Sequence, residues 1–506
     1  MATELTGAPG LAGAPGLDVV IGLDLGTTSV KALALDAAGT VLARSAGGYA
    51  LHSGADGSAT QDAGEVVRAA LGVLDALAAR LPGVVFRALV PSAAMHSLVL
   101  IGAAGEMLAP ALTWADTDPA VTLPGLRSVL DPAETYARSG CPVQAPYHQA
   151  RLWWLRQRRP ELLARTARFV SLTDLVLHRL TGPRWVGRWA TSVGLASTTG
   201  LWNLHTGRWD TAILEALGIS EGQLPAVLDA REVVGTVQAG TGQAGMVQAG
   251  PLTGTPVLAG SSDGALANLG AGALPGEVVI TVGTSGALRR LSGQARLDPQ
   301  ARTWSYRLDL ATHLSGGAIN NGGLLLDWVR RSWYSELDAA EGFGRLLADA
   351  AEVPAGAEGL TLLPYRTGER SPLWRSDLSA TLHGLRLAHG RAQVARSALE
   401  AVAFSLGQLW AMGAGSGTVF STGELAAHPA WNQLLADVLG VPVRVSEGAD
   451  ASAIGAALLG HRETVLEELR SRAGSGRLVL PDPRHAGPLR GVRQRWEELS
   501  GRLYGP

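Results

Sequence analysis

IGLDLGTTSVKALALDAAGTVLAR, residues 21–44, reads as a β-hairpin whose first turn is built to hold phosphate. Val19 to Leu23 is a buried-strand run, Val30 to Leu35 is its partner, and Ala37-Ala38-Gly39 turns the chain into a third strand at Val41. Between the first two strands, Gly26-Thr27-Thr28-Ser29 offers backbone N–H groups and hydroxyls around a concave tip, which suits an anion. Asp24 precedes that turn, where a carboxylate can face a metal ion held on the phosphate. Taken alone, the segment also fits an ordinary tight hairpin with a polar tip.

A second copy favours phosphate. Residues 278–288 read VVITVGTSGAL, again a β-branched strand entering Gly-Thr-Ser-Gly and leaving through apolar residues. The two turns lie about half the chain apart, which implies two related halves closing on one nucleotide. The expected fold is α/β, the two-domain actin-like ATPase (ribonuclease H-like) fold with a nucleotide cleft between the domains.

Composition fits this layout. A chain of 506 residues exceeds a single core, and 46% hydrophobic residues supply ample buried material. The net charge of −2 gives no field that would gather nucleic acid or an anionic membrane surface. Cys141, the only cysteine, excludes an intrachain disulfide and a thiolate metal cluster; it reads as a buried structural residue. No apolar run reaches membrane-spanning length. Residues 1–17 carry a doubled GAPGL without the pattern of a secretion signal, and are expected to be a disordered tail. These features set the expectation of a cytoplasmic protein, and a homodimer is compatible with them. Arginine supplies nearly all the basic charge. The only lysine, Lys31, stands just after the first phosphate turn, within reach of phosphate oxygens.

The first half alternates strands and helices. Residues 62–80 have helical spacing, 84–90 form a strand leading to Met95-His96, and Thr255 to Gly260 is a short strand delivering Ser261-Ser262-Asp263-Gly264. The second half begins near Gly270. It holds the second phosphate hairpin, a Gly/Asn-rich turn over 316–323, helices over 324–333, 393–412 and 431–439, a small-residue helix over 453–459, and an arginine-rich segment from Arg462 expected to pack as a peripheral helix. The expected domains are 18–268, carrying the sugar site and the first phosphate loop, and 269–506, carrying the nucleotide site.

An ordered set of motifs now becomes recognisable: GLDLGTTSVKAL, AMHSLVL, LTWAD, SLTDLVLHRLTG, GSSDGALANLGAGAL, VGTSGALR, GGAINNGG, LPYRTGERSPLW and ASAIGAALLG. From about residue 18 to about 480 the chain resembles the FGGY carbohydrate kinases, and AMHSL, TWAD, SSDGALANLG and GERSPLW are most similar to gluconokinases. The resemblance implies ATP and Mg2+ as cofactors and a sugar acid as acceptor. It implies that Asp263 is the catalytic base, a role needed because a sugar hydroxyl must lose its proton as it attacks phosphorus. An Asp before Gly-Ala-Leu could equally cap a helix. Asp24 resembles the metal-linked carboxylate of the first phosphate motif. Gly26, Thr27, Thr28, Ser29 and Lys31 would line the phosphates from one domain, and Gly283 and Thr284 from the other. Met95 and His96 resemble a substrate-contacting pair, and Trp114 and Asp116 would form another wall of the sugar pocket. Gly323, Asp327 and Gly423 match positions near the nucleotide.

The chain departs from the family pattern at several points. The Arg that often follows TWAD is absent at Thr117-Asp118. Arg151 replaces a Lys, and Gln144 stands where a His is usual. In the adenosine motif Gly423 is followed by Glu424, and His428 occupies the later position, which bears on nucleotide affinity and leaves Asp24 and Asp263 untouched. Two other readings stay open beside a gluconokinase: a kinase of another polyol or of a ketopentose such as xylulose, and a non-catalytic, nucleotide-gated pseudokinase. No basic residue can be assigned to the substrate carboxylate from the sequence.

Overall fold

The structure is a computed structural model that describes residues 18–505, apart from 55–56, 183–188, 240–249, 414–416, 447–449, 462–466 and 469–475. The expected tail, 1–17, lies outside the described residues. Two seven-stranded sheets organise the chain. In the first, Asp18–Leu25, Ser29–Asp36 and Val41–Gly48 form an antiparallel meander. Strand Val85–Ala93 joins Asp18–Leu25 in parallel, and Pro256–Leu258 continues the parallel part. The second sheet repeats this order. Val278–Val282, Gly286–Ser292 and His313–Ile319 are the meander, and Val419–Thr422 and Val443–Val445 add in parallel. The repeat that the two phosphate turns imply therefore extends to five strands of each half, and the halves enclose a cleft.

The strands carry near-continuous apolar runs because both faces of each sheet are covered. Val19, Ile21 and Leu23 of the first strand pack under helix Ala63–Ala79, while Val20 faces the junction between the halves. That helix begins where Asp62 accepts from the Glu65 amide at 2.9 Å, an N-cap that satisfies one of its free N–H groups. Helix Leu172–Thr181 opens on a capping box of Ser171 and Asp174. A satellite core is built around Leu98, Leu126, Leu152, Trp202 and Leu217. Helix Pro483–Tyr504 docks on the second half through Trp496, which is fully buried and donates to the Leu362 carbonyl at 2.8 Å. Cys141 is buried.

One local reading is corrected. Gly316 and Gly317 belong to strand His313–Ile319, so the turn is confined to the residues after Ile319. Gly316 is a close-approach position: a Cβ there would lie 2.1 Å from the Leu288 carbonyl oxygen of the neighbouring strand. Sheet packing, not turn formation, uses these glycines.

The halves meet at helices Asp263–Gly270 and Ala451–Gly460, which cross each other against the first sheet. A Cβ on Gly22 would stand 1.9 Å from the Ala453 carbonyl oxygen. Gly22→Ala is therefore expected to destabilise the protein by about 2 kcal/mol, as overpacking of a tight contact does. Urea unfolding measures it, and an unchanged midpoint would show that helix Ala451–Gly460 yields without cost.

Candidate active site

Parallel pairing lines up the polar residues at the strand ends of the first sheet. Asp24 is in register with Ser92, and Ser92 and Ala93 are in register with Ser261 and Ser262. Asp263 follows as the first residue of its helix, with Ser262 at the cap position. The carboxyl ends of adjacent parallel strands are where open α/β sheets place ligands. Ser92 donates to Asp24 at 2.7 Å, and Asp263 accepts from the Gly264 amide at 2.6 Å.

Confinement in the cleft dominates the acidity of both carboxyls. Asp24 is pushed up to about 7, chiefly by burial; the Ser92 bond opposes this and the charge of Asp263 adds to it. Asp263 is also raised by burial, against the pull of Arg289 and its bond to Gly264. Each is partly open to the cleft, so a bound cation or solvent can reach it.

The first phosphate turn is held from behind. Tyr49 donates its hydroxyl to the Gly26 carbonyl, and Gln61 donates to the Thr27 carbonyl at 2.5 Å. Trp114 donates its indole N–H to the Thr27 hydroxyl at 3.0 Å, tying the segment around Trp114 to the first turn. Thr28 is exposed at the tip, and Gly26 and Ser29 flank it. Lys31 reaches instead to Asp450 of the other half, at 3.4 Å. In the second turn, the Gly323 and Leu324 amides donate to the Gly283 and Thr284 carbonyls at 2.7 and 2.9 Å. Helix Gly323–Trp333 is thereby docked on that turn. Asp327 on this helix is engaged by Arg330 and Arg331 at 2.8 and 2.9 Å. Gly423 ends strand Val419–Thr422, and the Glu424 side chain after it is exposed.

A cavity of about 210 Å3 joins the two halves, with Met95, His96, Trp114 and Asp263 among its lining. Thr27 and Ser285, one from each phosphate turn, close one side. Asp116 does not line it. That side chain is buried behind the wall, where its charge acts on Arg151. Arg151 is fully buried and donates to the carbonyls of His96 and Thr113, so it pins the two segments that carry the wall. His96 has φ +68°, a backbone state uncommon outside glycine and concentrated at functional sites. Its Nδ1 is buried without a protein partner, and burial together with Arg151 holds the ring neutral, well below the usual histidine range.

The sequence reading did not assign several cavity residues. Tyr147, Trp304 and Tyr306 form an aromatic side, with the two tyrosine hydroxyls 2.8 Å apart and Trp304 stacked on Tyr306 at 4.3 Å. Arg289 and Arg370 bring two guanidinium groups into the same space. Both stand in motifs already visible, VGTSGALR and GERSPLW, but only the folded sheet shows that Arg289 faces the cleft while Arg290 faces away. Tyr49 and Gln61 carried no sequence signal.

Arranged this way, Asp263 can accept a proton from a hydroxyl in the cavity. Asp24 stands beside the first phosphate turn, able to meet a metal ion with the oxygen that Ser92 does not occupy. Among the described residues no cluster of three metal-ligating side chains occurs. One carboxylate plus phosphate oxygens and water is a regular way for proteins to hold magnesium, so the residues present fit Mg–ATP.

Comparison with known proteins agrees with this geometry. Residues 19–270 match the N-terminal domain, and residues 278–463 the C-terminal domain, of the FGGY family of carbohydrate kinases. The gluconokinase of Bacillus subtilis (strain 168) is 29% identical over 455 residues, covering 86% of each chain. The xylulose kinase of the same organism is 28% identical over 454 residues, again covering 86% of each. The solved gluconate kinase of Lactobacillus acidophilus superposes with a TM-score of 0.88 at 26% identity, covering 97% of this chain and 99% of its own.

The Arg289 charge opposes the burial that raises Asp263. A base works ionised, so activity is lost as pH falls through its pKa, and removing a neighbouring cation raises that pKa. Arg289→Gln should therefore shift the acid limb of the kcat/KM profile to higher pH. An acid limb that stays in place would separate Arg289 from Asp263.

Proposed function

The chain belongs to the FGGY family of carbohydrate kinases, and on that premise we propose that it is an ATP-dependent kinase of a sugar acid, converting D-gluconate to 6-phospho-D-gluconate. The observation that carries this reading is the cavity in which one candidate base, Asp263, shares its space with two arginines. A neutral sugar has no group to match the surplus positive charge, whereas an acid does.

The chemistry is an in-line transfer. The terminal hydroxyl of the acid gives its proton to Asp263 as its oxygen bonds to the γ-phosphorus, and the bond from that phosphorus to the ADP oxygen breaks. Catalysis then rests on positioning and charge stabilisation. The backbone of Gly26–Ser29 and of Gly283–Thr284 would cradle the phosphates from opposite sides. Asp24 would hold magnesium, which neutralises charge on the phosphates when bound. His96, neutral and with an unpartnered nitrogen, would meet a substrate hydroxyl, with Trp114 and Met95 beside it. ATP as donor is compatible with a cytoplasmic reaction.

A ketopentose acceptor is the second reading, supported by the similarity to xylulose kinase. Against a pseudokinase stand Asp263, which lines the cavity, and Asp24, which is near enough to feel its charge. A coupled assay of ADP release with gluconate, xylulose, ribulose and glycerol decides among them: the gluconate reading requires the highest kcat/KM on gluconate.

Asp263→Asn keeps the shape but cannot take the proton. Turnover should fall by roughly 10²–10⁴-fold with ATP and sugar binding largely retained, and turnover within a few-fold of the parent would remove Asp263 from the role. Asp24→Ala should lower turnover and raise the magnesium concentration needed for half-maximal rate; a magnesium titration superimposable on the parent's would make Asp24 structural.

A further inference from the structure

The cavity holds three charged side chains, Asp263, Arg289 and Arg370, and they are not equivalent. Arg289 serves the reacting end. Its charge acts on Asp263, and its Nη1 donates to the Thr281 hydroxyl at 3.2 Å, beside the second phosphate turn. Arg370 has a different setting. Its Nε donates to the Asn320 side-chain oxygen at 2.7 Å and its Nη2 to the Ile319 carbonyl at 3.2 Å. The guanidinium lies over the Trp114 ring, 5.4 Å from its centroid. Two bonds from behind and one aromatic face fix its plane, while Nη1 has no protein partner among the described residues.

No carboxylate of the described residues lies within ion-pair distance of Arg370. Its neighbour Glu369 acts on it by charge without forming such a pair. That side chain is buried, accepts from the amides of Asn320 and Arg370 at 2.5 and 2.9 Å, and is pushed up to about 7 by burial. The field of Arg370 falls on Glu369 as well as on His96, Tyr147, Tyr306 and Arg289. Glu369, itself pushed toward neutrality by burial, offsets the Arg370 charge only in part, and a confined guanidinium so placed stays costly unless something further anionic comes to it. A planar fork held rigid on its far edge is suited to a carboxylate.

A linear sugar acid carries its carboxylate at one end and its primary hydroxyl at the other. With that hydroxyl at Asp263, the carboxylate at the other end needs its own partner in the cavity, and Arg370, unlike Arg289, is not among the charges that act on Asp263. We propose that Arg370 is the carboxylate subsite, the group that makes this cavity prefer an acid over the neutral polyol of the same length. The hydroxyl pair of Tyr147 and Tyr306 borders the same region and can donate to the second carboxylate oxygen. This inference rests on the reading of the site as that of a sugar-acid kinase.

The test compares D-gluconate with D-glucitol, which differs by having CH2OH in place of the carboxylate. Binding to the full-length protein is measured by calorimetry without nucleotide, and kcat/KM with ATP. The parent should bind gluconate more tightly than glucitol. In Arg370→Met, gluconate affinity should drop roughly 10- to 100-fold, the scale of a charge-assisted hydrogen bond, while glucitol affinity changes less than about three-fold. Arg370→Lys keeps the charge without the fork, and should retain an intermediate preference; it carries the test if the Met variant does not fold. Equal losses for both ligands, or a preference for gluconate undiminished in both variants, would overturn the assignment of Arg370 alone. A parent that binds glucitol as well as gluconate would instead overturn the sugar-acid reading on which the proposal rests.

Discussion

Where helix Asp263–Gly270 crosses helix Ala451–Gly460, the two backbones touch. A Cβ on Gly455 would sit 1.8 Å from the Leu266 carbonyl oxygen, and one on Gly270 would sit 1.9 Å from that of Ala451. Small residues permit this approach, and dispersion over a tight contact rewards it. The crossing joins the two halves next to the first strand, and Asp263 is the first residue of one of the two helices. The position of the candidate base relative to both phosphate turns is therefore set by a backbone contact that admits almost no slack. Lys31 and Arg44 reach across the same junction to Asp450, at 3.4 and 3.3 Å. Such exposed pairs contribute little stability beside the packed helices.

Around that fixed point the cleft gathers charges that the protein neutralises only in part. Asp24 and Asp263 are raised by confinement, and Arg289 and Arg370 are lowered by it. Each of these shifts means that the charged form costs more here than in water. Magnesium, phosphates and a substrate carboxylate would each offset part of that cost on binding. Preorganisation of this kind is what lets a site stabilise developing charge without rearranging solvent.

The duplicated sheets are unequal where it matters. Asp24 and Ser92 pair across adjacent parallel strands in one half, and Thr281 and Thr422 occupy the corresponding pair in the other, with their hydroxyls 2.7 Å apart. The first copy thus holds a carboxylate next to its phosphate turn, and the second holds only hydroxyls. On the proposed reading, metal binding and proton transfer would gather on the first sheet, and the second would grip phosphate. One fold element used twice thus carries a carboxylate at this position in one copy and hydroxyls in the other.

The sequence by itself determined the duplication, the two glycine-bearing hairpin turns and the strand that delivers Asp263, because each rests on local chemistry: strand periodicity and turn residues. It also exposed the motifs that place the chain in its family. Only the tertiary structure decided that Asp116 is buried behind the wall, that Lys31 turns to Asp450, that Gly316 and Gly317 sit within a strand, and that Arg289 and Arg370, 81 positions apart, face one cavity with Tyr147 and Tyr306. Those facts depend on which face of a strand looks into the cleft and on what arrives there from a distant segment. Local sequence fixes the alternation of faces; the packing of the two halves fixes which face becomes the site.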